Sequence, residues 1–169
     1  MTLTTRPATV SDAALLERLF RESFTDTFGH LYAPEDLAAF LNDCSVAVWE
    51  EELADPDMEV LIAYDGDEPA GFIRLGPGSV PKLHPEHALE LRQLYLLPPW
   101  KGRGLARPLL EWAIARARER GSAHLYLTVF IDNTRARRLY DRYGFVEEGP
   151  YAFMVGNHED HDIVMRLAL

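Results

Sequence analysis

Two short segments of this chain hold residue types at spacings that can do chemistry. The first is Tyr95–Leu110, YLLPPWKGRGLARPLL, where an apolar strand runs through a Pro pair into a basic, glycine-containing turn and then into an amphipathic helix. Lys101, Gly102, Arg103, Gly104, Leu105 and Ala106 make the turn. Successive amides in such a turn converge into a concavity for anions, and the positive end of the helix dipole deepens it. Glycine suits the turn because it adopts positive φ and has no Cβ to obstruct a phosphate. The spacing is neither G-x-G-x-x-G nor a phosphate loop with its Lys-Ser/Thr pair, which argues against a nicotinamide cofactor or ATP. The second segment is NTRARRLYDRYGF, Asn133–Phe145. Asn133 and Tyr140 are seven residues apart, two helical turns, and project from one helix face. Tyr140 can supply a proton there or pack as an apolar aromatic, while Asn133 can bond a polar ligand or cap the helix in competition with Asp132.

The elements that must position these residues follow from periodicity and punctuation. Leu3–Ala8 reads as a strand ended by Pro7, and Ala13–Phe24 as a helix capped at Ser11 or Asp12. Thr25–Ala33 reads as an aromatic loop, Pro34 opens a second helix, and Ser45–Ala54 is a third. Met58–Tyr64 and Ala70–Leu75 are strands joined through Asp65-Gly66-Asp67, a hairpin with more than two loop residues. A loop over Gly76–His87 precedes the strand Leu89–Leu97. After the glycine turn come a helix over Leu105–Arg120, a buried strand over His124–Phe130 and a helix over Thr134–Tyr143. Two strands, Phe145–Gly149 and Asp162–Leu167, end the chain. Neither repeats nor an interdomain linker interrupt this order, so residues 1–169 read as a single domain.

Composition bounds the function. The 47% hydrophobic and 26% charged residues are those of a soluble globular protein, with no run long enough for a membrane span. The opening MTLTTRPATVSD lacks a signal-peptide core, and the single cysteine, Cys44, excludes an internal disulfide; both point to the cytoplasm. A net charge of −10 argues against nucleic-acid binding. Its distribution is uneven: Lys101–Arg142 holds ten Lys/Arg against four Asp/Glu, a balance of +6, which leaves −16 for the rest. A basic half and an acidic remainder suit a polyanionic cofactor meeting a cationic acceptor.

The two segments together resemble the Gcn5-related N-acetyltransferases. That family's acetyl-CoA motif, Gln/Arg-x-x-Gly-x-Gly/Ala, reads here as Lys101-Gly102-Arg103-Gly104-Leu105-Ala106, with Lys at the first position. Its second signature appears as Asn133, Ala136, Leu139, Tyr140, Gly144 and Phe145. The resemblance implies an α/β (α+β) fold: a mixed, largely antiparallel, splayed central sheet with helices on both faces. It also implies an acetyl-CoA-dependent enzyme that needs no metal. By the same resemblance the pantetheine arm adds alongside the strand at Leu94, Tyr95 and Leu96, and Asn133 bonds it. Amides of Gly102–Ala106, with Lys101 and Arg103, cradle the pyrophosphate, and Tyr140 is the general acid for the leaving thiolate. Homodimers are common among such proteins.

The base is sought on the strand that leads to the thioester. Glu90, in LELRQLY, is the first choice, with His30, His84 and His87 as alternatives. His158 and His161 flank Glu159 and Asp160, but HEDH reads as a surface turn without metal-binding His spacing. FTDTFGHLYAPEDLAAFL, LELRQLYLLP and YAFMVGNHEDHDIVMRLAL resemble the bacterial Pai-type polyamine acetyltransferases, which implies a small-molecule amine acceptor such as spermidine or spermine. Glu35, Asp36, Asp43 and Glu50–Glu52 are candidates to attract it, and Phe28, Tyr32, Tyr151 and Phe153 either line its groove or pack as core. A protein or peptide N-acetyltransferase and a non-catalytic acyl-CoA sensor are the competing readings.

Overall fold

Strands rich in aliphatic and aromatic residues build the centre of the molecule, and a computed structural model describes residues 2–80 and 88–169. The strands are β1 (Leu3–Pro7), β2 (Glu59–Asp65), β3 (Glu68–Pro77), β4 (Leu89–Leu96), β5 (His124–Phe130), β6 (Val146–Val155) and β7 (His158–Ala168). They form one sheet in the order β1-β2-β3-β4-β5-β7-β6. Every neighbouring pair is antiparallel except β4–β5, which is parallel. A parallel pair needs a crossover, and here it is the glycine turn and its helix.

The helices are α1 (Ala13–Phe28), α2 (Pro34–Asp43), α3 (Val46–Ala54), α4 (Ala106–Glu119) and α5 (Thr134–Arg142). Leu16, Leu19, Phe20 and Phe24 recur on one face of α1 and are buried with Trp49 of α3 and Ile62 and Phe72 of the sheet. Leu109, Leu110, Ala113 and Ala117 do the same for α4 on the opposite face, against Ile73, Leu91, Leu127 and Met165. The sheet therefore separates two cores, each closed by helices with an apolar stripe.

Several boundaries differ from the sequence reading. Residues 25–28, expected in a loop, continue α1, because Phe28 packs against the α1–α3 core. The β2–β3 loop is shorter than expected, since Asp65 pairs with Glu68 and leaves Gly66 (φ 61°) and Asp67 as a two-residue turn. The last two strands are longer: Val155 pairs with His158 across Gly156-Asn157, so HEDH is strand and not surface turn. Its polar letters concealed an alternation in which Asp160 and Asp162 are buried and Glu159 and His161 are exposed. The expected loop over Gly76–His87 begins later, because β3 runs to Pro77. Its residues 81–87, with the candidate bases His84 and His87, lie outside the described residues. No helix among the described residues is long and apolar enough to cross a membrane.

Candidate active site

β4 and β5 keep register for only two pairs, Leu89 with Leu125 and Glu90 with Tyr126. A bulge lies just beyond. Arg74 pairs with Gln93 and Leu75 with Leu91, which leaves Arg92 as an extra residue in β4. Its guanidinium donates to the Pro77 carbonyl at 2.7 and 3.2 Å. The bulge shifts the side-chain alternation by one, so Leu89, Leu91, Leu94 and Leu96 all pack with the α4 core while Tyr95 faces α1. Past it the strands diverge around a cavity of about 730 Å³, lined by Leu91–Leu96 of β4 and Thr128–Phe130 of β5. Among the described residues the β4 edge facing that gap has no strand partner beyond Glu90, so its backbone groups can receive an extended ligand.

The glycine turn borders the same cavity. Gly102 and Gly104 have φ of 82° and 85°, the left-handed region that glycine enters without strain. The amides of Lys101, Arg103 and Arg107 close bonds of 3.2–3.4 Å to the Pro98, Trp100 and Gly104 carbonyls. Those of Gly102, Gly104, Leu105 and Ala106 make no such bond among the described residues. A Cβ at Gly104 would meet nothing within 4 Å. Open space beside a glycine turn at a helix N-terminus fits a diphosphate. Lys101 is engaged elsewhere: its Nζ donates to Asp26 at 2.5 Å and Thr27 at 2.8 Å, tying the turn to α1. Of the other cations on the lining, Arg92 is bonded to Pro77 and Arg107 donates to Glu111 at 2.9 Å, while α5 brings Arg135, Arg138 and Arg142. The α5 trio went unnoticed in the sequence reading, although the i, i+3, i+7 spacing puts them on one helix face.

α5 also carries Asn133 and Tyr140 to the cavity. The Asn133 Oδ1 accepts from Ala136 N at 3.2 Å, so Asn133, not Asp132, is the N-cap. The amide nitrogen of that side chain takes no part in the cap bond. Tyr140 is 6% exposed and packs on Phe145, with ring centroids 5.6 Å apart. Burial pushes its phenol well above the ordinary tyrosine value. It therefore stays protonated at neutral pH.

The wall toward α1 and α2 is aromatic. Phe24 stacks on Tyr32 at 5.9 Å and lies 4.8 Å from Phe40, which meets Phe153 at 5.6 Å, and Phe28 meets Phe130 edge-on at 6.1 Å. Two buried carboxyl groups, Asp160 and Asp162, line the same cavity from β7. The Tyr32 hydroxyl donates to Asp160 Oδ2, and His158 Nε2 lies 3.3 Å from Oδ1. Asp162 Oδ1 has no hydrogen-bond partner among the described residues. Burial, and then the charge of Asp160, push the Asp162 carboxyl up to about 7. Burial, followed by the Asp160 hydrogen bond, raises the Tyr32 phenol.

Of the residues expected at the site, Leu94, Tyr95, Leu96, Lys101, Gly102, Gly104, Leu105, Ala106, Asn133 and Tyr140 line one cavity. Arg103 is exposed and outside the lining. Glu90 is also outside it: the carboxylate is buried and accepts from Ser79 N at 2.6 Å and Ser79 Oγ at 2.7 Å. Phe28, Tyr32 and Phe153 line the cavity, but Tyr151 packs with Val80, Ala88, Tyr126 and Val164. None of Glu35, Asp36, Asp43 or Glu50–Glu52 reaches the cavity. Asp36 instead accepts from Asn157 N at 2.8 Å, and Glu52 pairs with Arg74. His30 also lies outside the lining.

Comparison with known proteins agrees with this architecture. The model of the acetyltransferase (GNAT) family matches residues 15–145. An uncharacterized N-acetyltransferase of Mycobacterium tuberculosis is 32% identical over 157 residues, 92% of this chain and 97% of that protein. Among solved structures, the PaiA N-acetyltransferase of Thermoplasma acidophilum in complex with coenzyme A superposes with a TM-score of 0.81 at 22% identity, covering 100% of both chains. A Salmonella typhimurium structure solved with its cofactor acetyl-CoA gives 0.75 at 21% identity, over 100% of this chain and 95% of that one.

Proposed function

The chain belongs to the acetyltransferase (GNAT) family and is an acetyl-CoA-dependent N-acetyltransferase; from that premise we propose that its acceptor is a small cationic amine of the polyamine type, with Tyr140 as general acid. The observation that carries this reading is the composition of one cavity, which holds the glycine turn and its arginines, Tyr140, and an aromatic wall bearing two buried carboxyl groups. Aromatic faces and carboxylates attract an alkylammonium and select against anionic acceptors.

Acetyl-CoA supplies the activated acyl group. Gly102, Gly104, Leu105 and Ala106 offer amides to its diphosphate, with Arg107, Arg135, Arg138 and Arg142 as counter-charges. The β4 edge at Leu94–Leu96 pairs with its pantetheine arm, and the Asn133 amide nitrogen is within the same cavity to donate to it. Tyr140 gives its hydroxyl proton to the departing thiolate; the burial that keeps the phenol protonated also keeps competing water away.

Steady-state acetyl-CoA consumption across spermidine, simple alkylamines and N-terminal peptides tests the acceptor. Spermidine or an alkylamine as the best substrate supports the reading, whereas turnover of peptides alone overturns it. Tyr140→Phe lowers kcat by about 10²–10⁴ if the hydroxyl is the acid, with CoA affinity by calorimetry unchanged. An unaltered kcat removes that role.

A further inference from the structure

We infer that Asp162 is the group that receives the acceptor's ammonium and takes its proton, with Asp160 held beside it as a positioning carboxylate; this rests on the reading of the enzyme as an amine acetyltransferase. The inference starts from an orphan. Asp162 is 8% exposed, lines the cavity, and presents a buried Oδ1 with no hydrogen-bond partner among the described residues. Leaving a buried carboxylate oxygen unbonded is costly, and native proteins rarely tolerate it without use. A ligand that donates hydrogen bonds and carries positive charge satisfies it.

The neighbours define what that ligand is. Asp160, two residues along the same strand face, already accepts from Tyr32 and faces His158, so its geometry is fixed. Phe130 of β5 and Tyr151 of β6 are the register partners of Asp162 and flank it on the same face. Tyr95 of β4 and Tyr32, which follows α1, are near enough to sense its charge, and Tyr140 of α5 acts in turn on Tyr95. The facing groups are therefore phenols, aromatic rings and one carboxylate. The cavity's lining cations are Arg92, bonded to the Pro77 carbonyl, Lys101, held by α1, Arg107, paired with Glu111, and the α5 arginines of the proposed CoA site. Phenols, aromatic faces and a second carboxylate around a buried carboxyl favour a cation there. Glu90, by contrast, has its carboxylate bonded to Ser79 outside the cavity.

The proton balance closes. Asp162 takes one proton from the ammonium and later releases it to solvent. The freed nitrogen lone pair forms the C–N bond as the C–S bond breaks, and the Tyr140 hydroxyl protonates the thiolate. The second N–H proton then restores the Tyr140 phenolate, so the sum is one acetyl group transferred and one proton released. A carboxyl titrating at about 7 is matched to this task, because it is a base above that pH and a spent acid below it.

The test uses the full chain saturated with CoA or acetyl-CoA. Spermidine and n-butylamine binding is measured by calorimetry to the native protein, Asp162→Asn, Asp160→Asn and Glu90→Gln. Turnover is followed from pH 6 to 9 with n-butylamine and with p-anisidine, an arylamine that is largely unprotonated over this range. Asp162→Asn is expected to weaken amine binding at least tenfold and to cut kcat/KM for n-butylamine by about 10² or more, while p-anisidine turnover changes little. The rise in kcat/KM through about pH 7 should disappear in this variant and persist in Glu90→Gln. Amines that bind native protein and Asp162→Asn equally, or not at all, overturn the inference, as does loss of the acidic limb in Glu90→Gln alone. If amines bind through Asp162 but none is acetylated, the ammonium site stands and the amine-acetyltransferase reading falls.

Discussion

A carboxyl group in a low-dielectric cavity without a partner is stabilised by staying neutral, and for Asp162 this preference acts on folding as well as on catalysis. Its carboxyl is raised to about 7 from the ordinary 3.8. A group raised on folding contributes stability that is full below its unfolded value and is lost as pH climbs to the folded one. The native chain should therefore lose stability between about pH 4 and pH 7 from this residue, with no further loss above. Asp162→Asn removes the titration, so its Tm advantage over the native chain should grow across that window and then level off. Even discounted heavily for solvent screening, the effect is about 1 kcal/mol, or 2–4 °C in a chain of this size. Thermal unfolding at half-unit pH steps decides it, and a difference independent of pH refutes the assignment. Tyr140, Asn133 and the glycine turn were legible as neighbours of one cavity, because glycine spacing marks the turn and two helical turns separate the other two. Asp162 was not, because its surroundings come from β5, β6, β7 and a tyrosine that bonds its neighbour Asp160 across 128 positions. Glu90 was legible as a strand carboxylate, but its bond to Ser79 was not.

α4 shows how one element serves both the fold and the site. A glycine at positive φ stands near each end, Gly104 at 85° and Gly121 at 74°. At the C-terminal end Ser122 N donates to Ala117 O at 3.1 Å and Gly121 N to Arg118 O at 2.9 Å, which terminates the helix in the usual glycine-dependent way. At the N-terminal end the amides of Gly104, Leu105 and Ala106, all on the cavity lining, make no backbone bond among the described residues. A Cβ at either glycine meets nothing within 4 Å, so alanine costs backbone strain alone, about 1–2 kcal/mol in both cases. Gly104→Ala and Gly121→Ala should therefore lower Tm by similar amounts, yet only Gly104→Ala should weaken CoA, by tenfold or more in calorimetry. Equal CoA affinity in the two variants would remove the phosphate from that turn. The helices and their stripes were readable from 3.6-residue periodicity, as with Leu109, Leu110, Ala113 and Ala117. The bulge at Arg92 was not, because an extra residue in β4 is defined only by what β3 pairs with, and it decides which way Tyr95 faces.

At the scale of the whole molecule, the donor is a polyanion approaching a protein of net charge −10, and placement must overcome the total. The basic segment Lys101–Arg142, at +6, contains the glycine turn and α5, whose Arg135, Arg138 and Arg142 ring the cavity; the other residues sum to −16. The acidic remainder disfavours approach of the donor away from this patch. Fields of this kind are screened over about 10 Å at 0.1 M salt and about 3 Å at 1 M. Steering worth about tenfold, the low end for charged clefts, predicts that the KM for acetyl-CoA rises by that factor between the two salt concentrations while kcat holds. Combining Arg135→Gln, Arg138→Gln and Arg142→Gln should raise the KM at 0.1 M and flatten the salt dependence. The comparison that decides between placement and net charge is a second triple, Arg18→Gln, Arg21→Gln and Arg118→Gln, which removes the same charge away from the cavity. Placement predicts little change in KM for that protein; an equal rise in both triples would mean that net charge alone sets how the donor arrives.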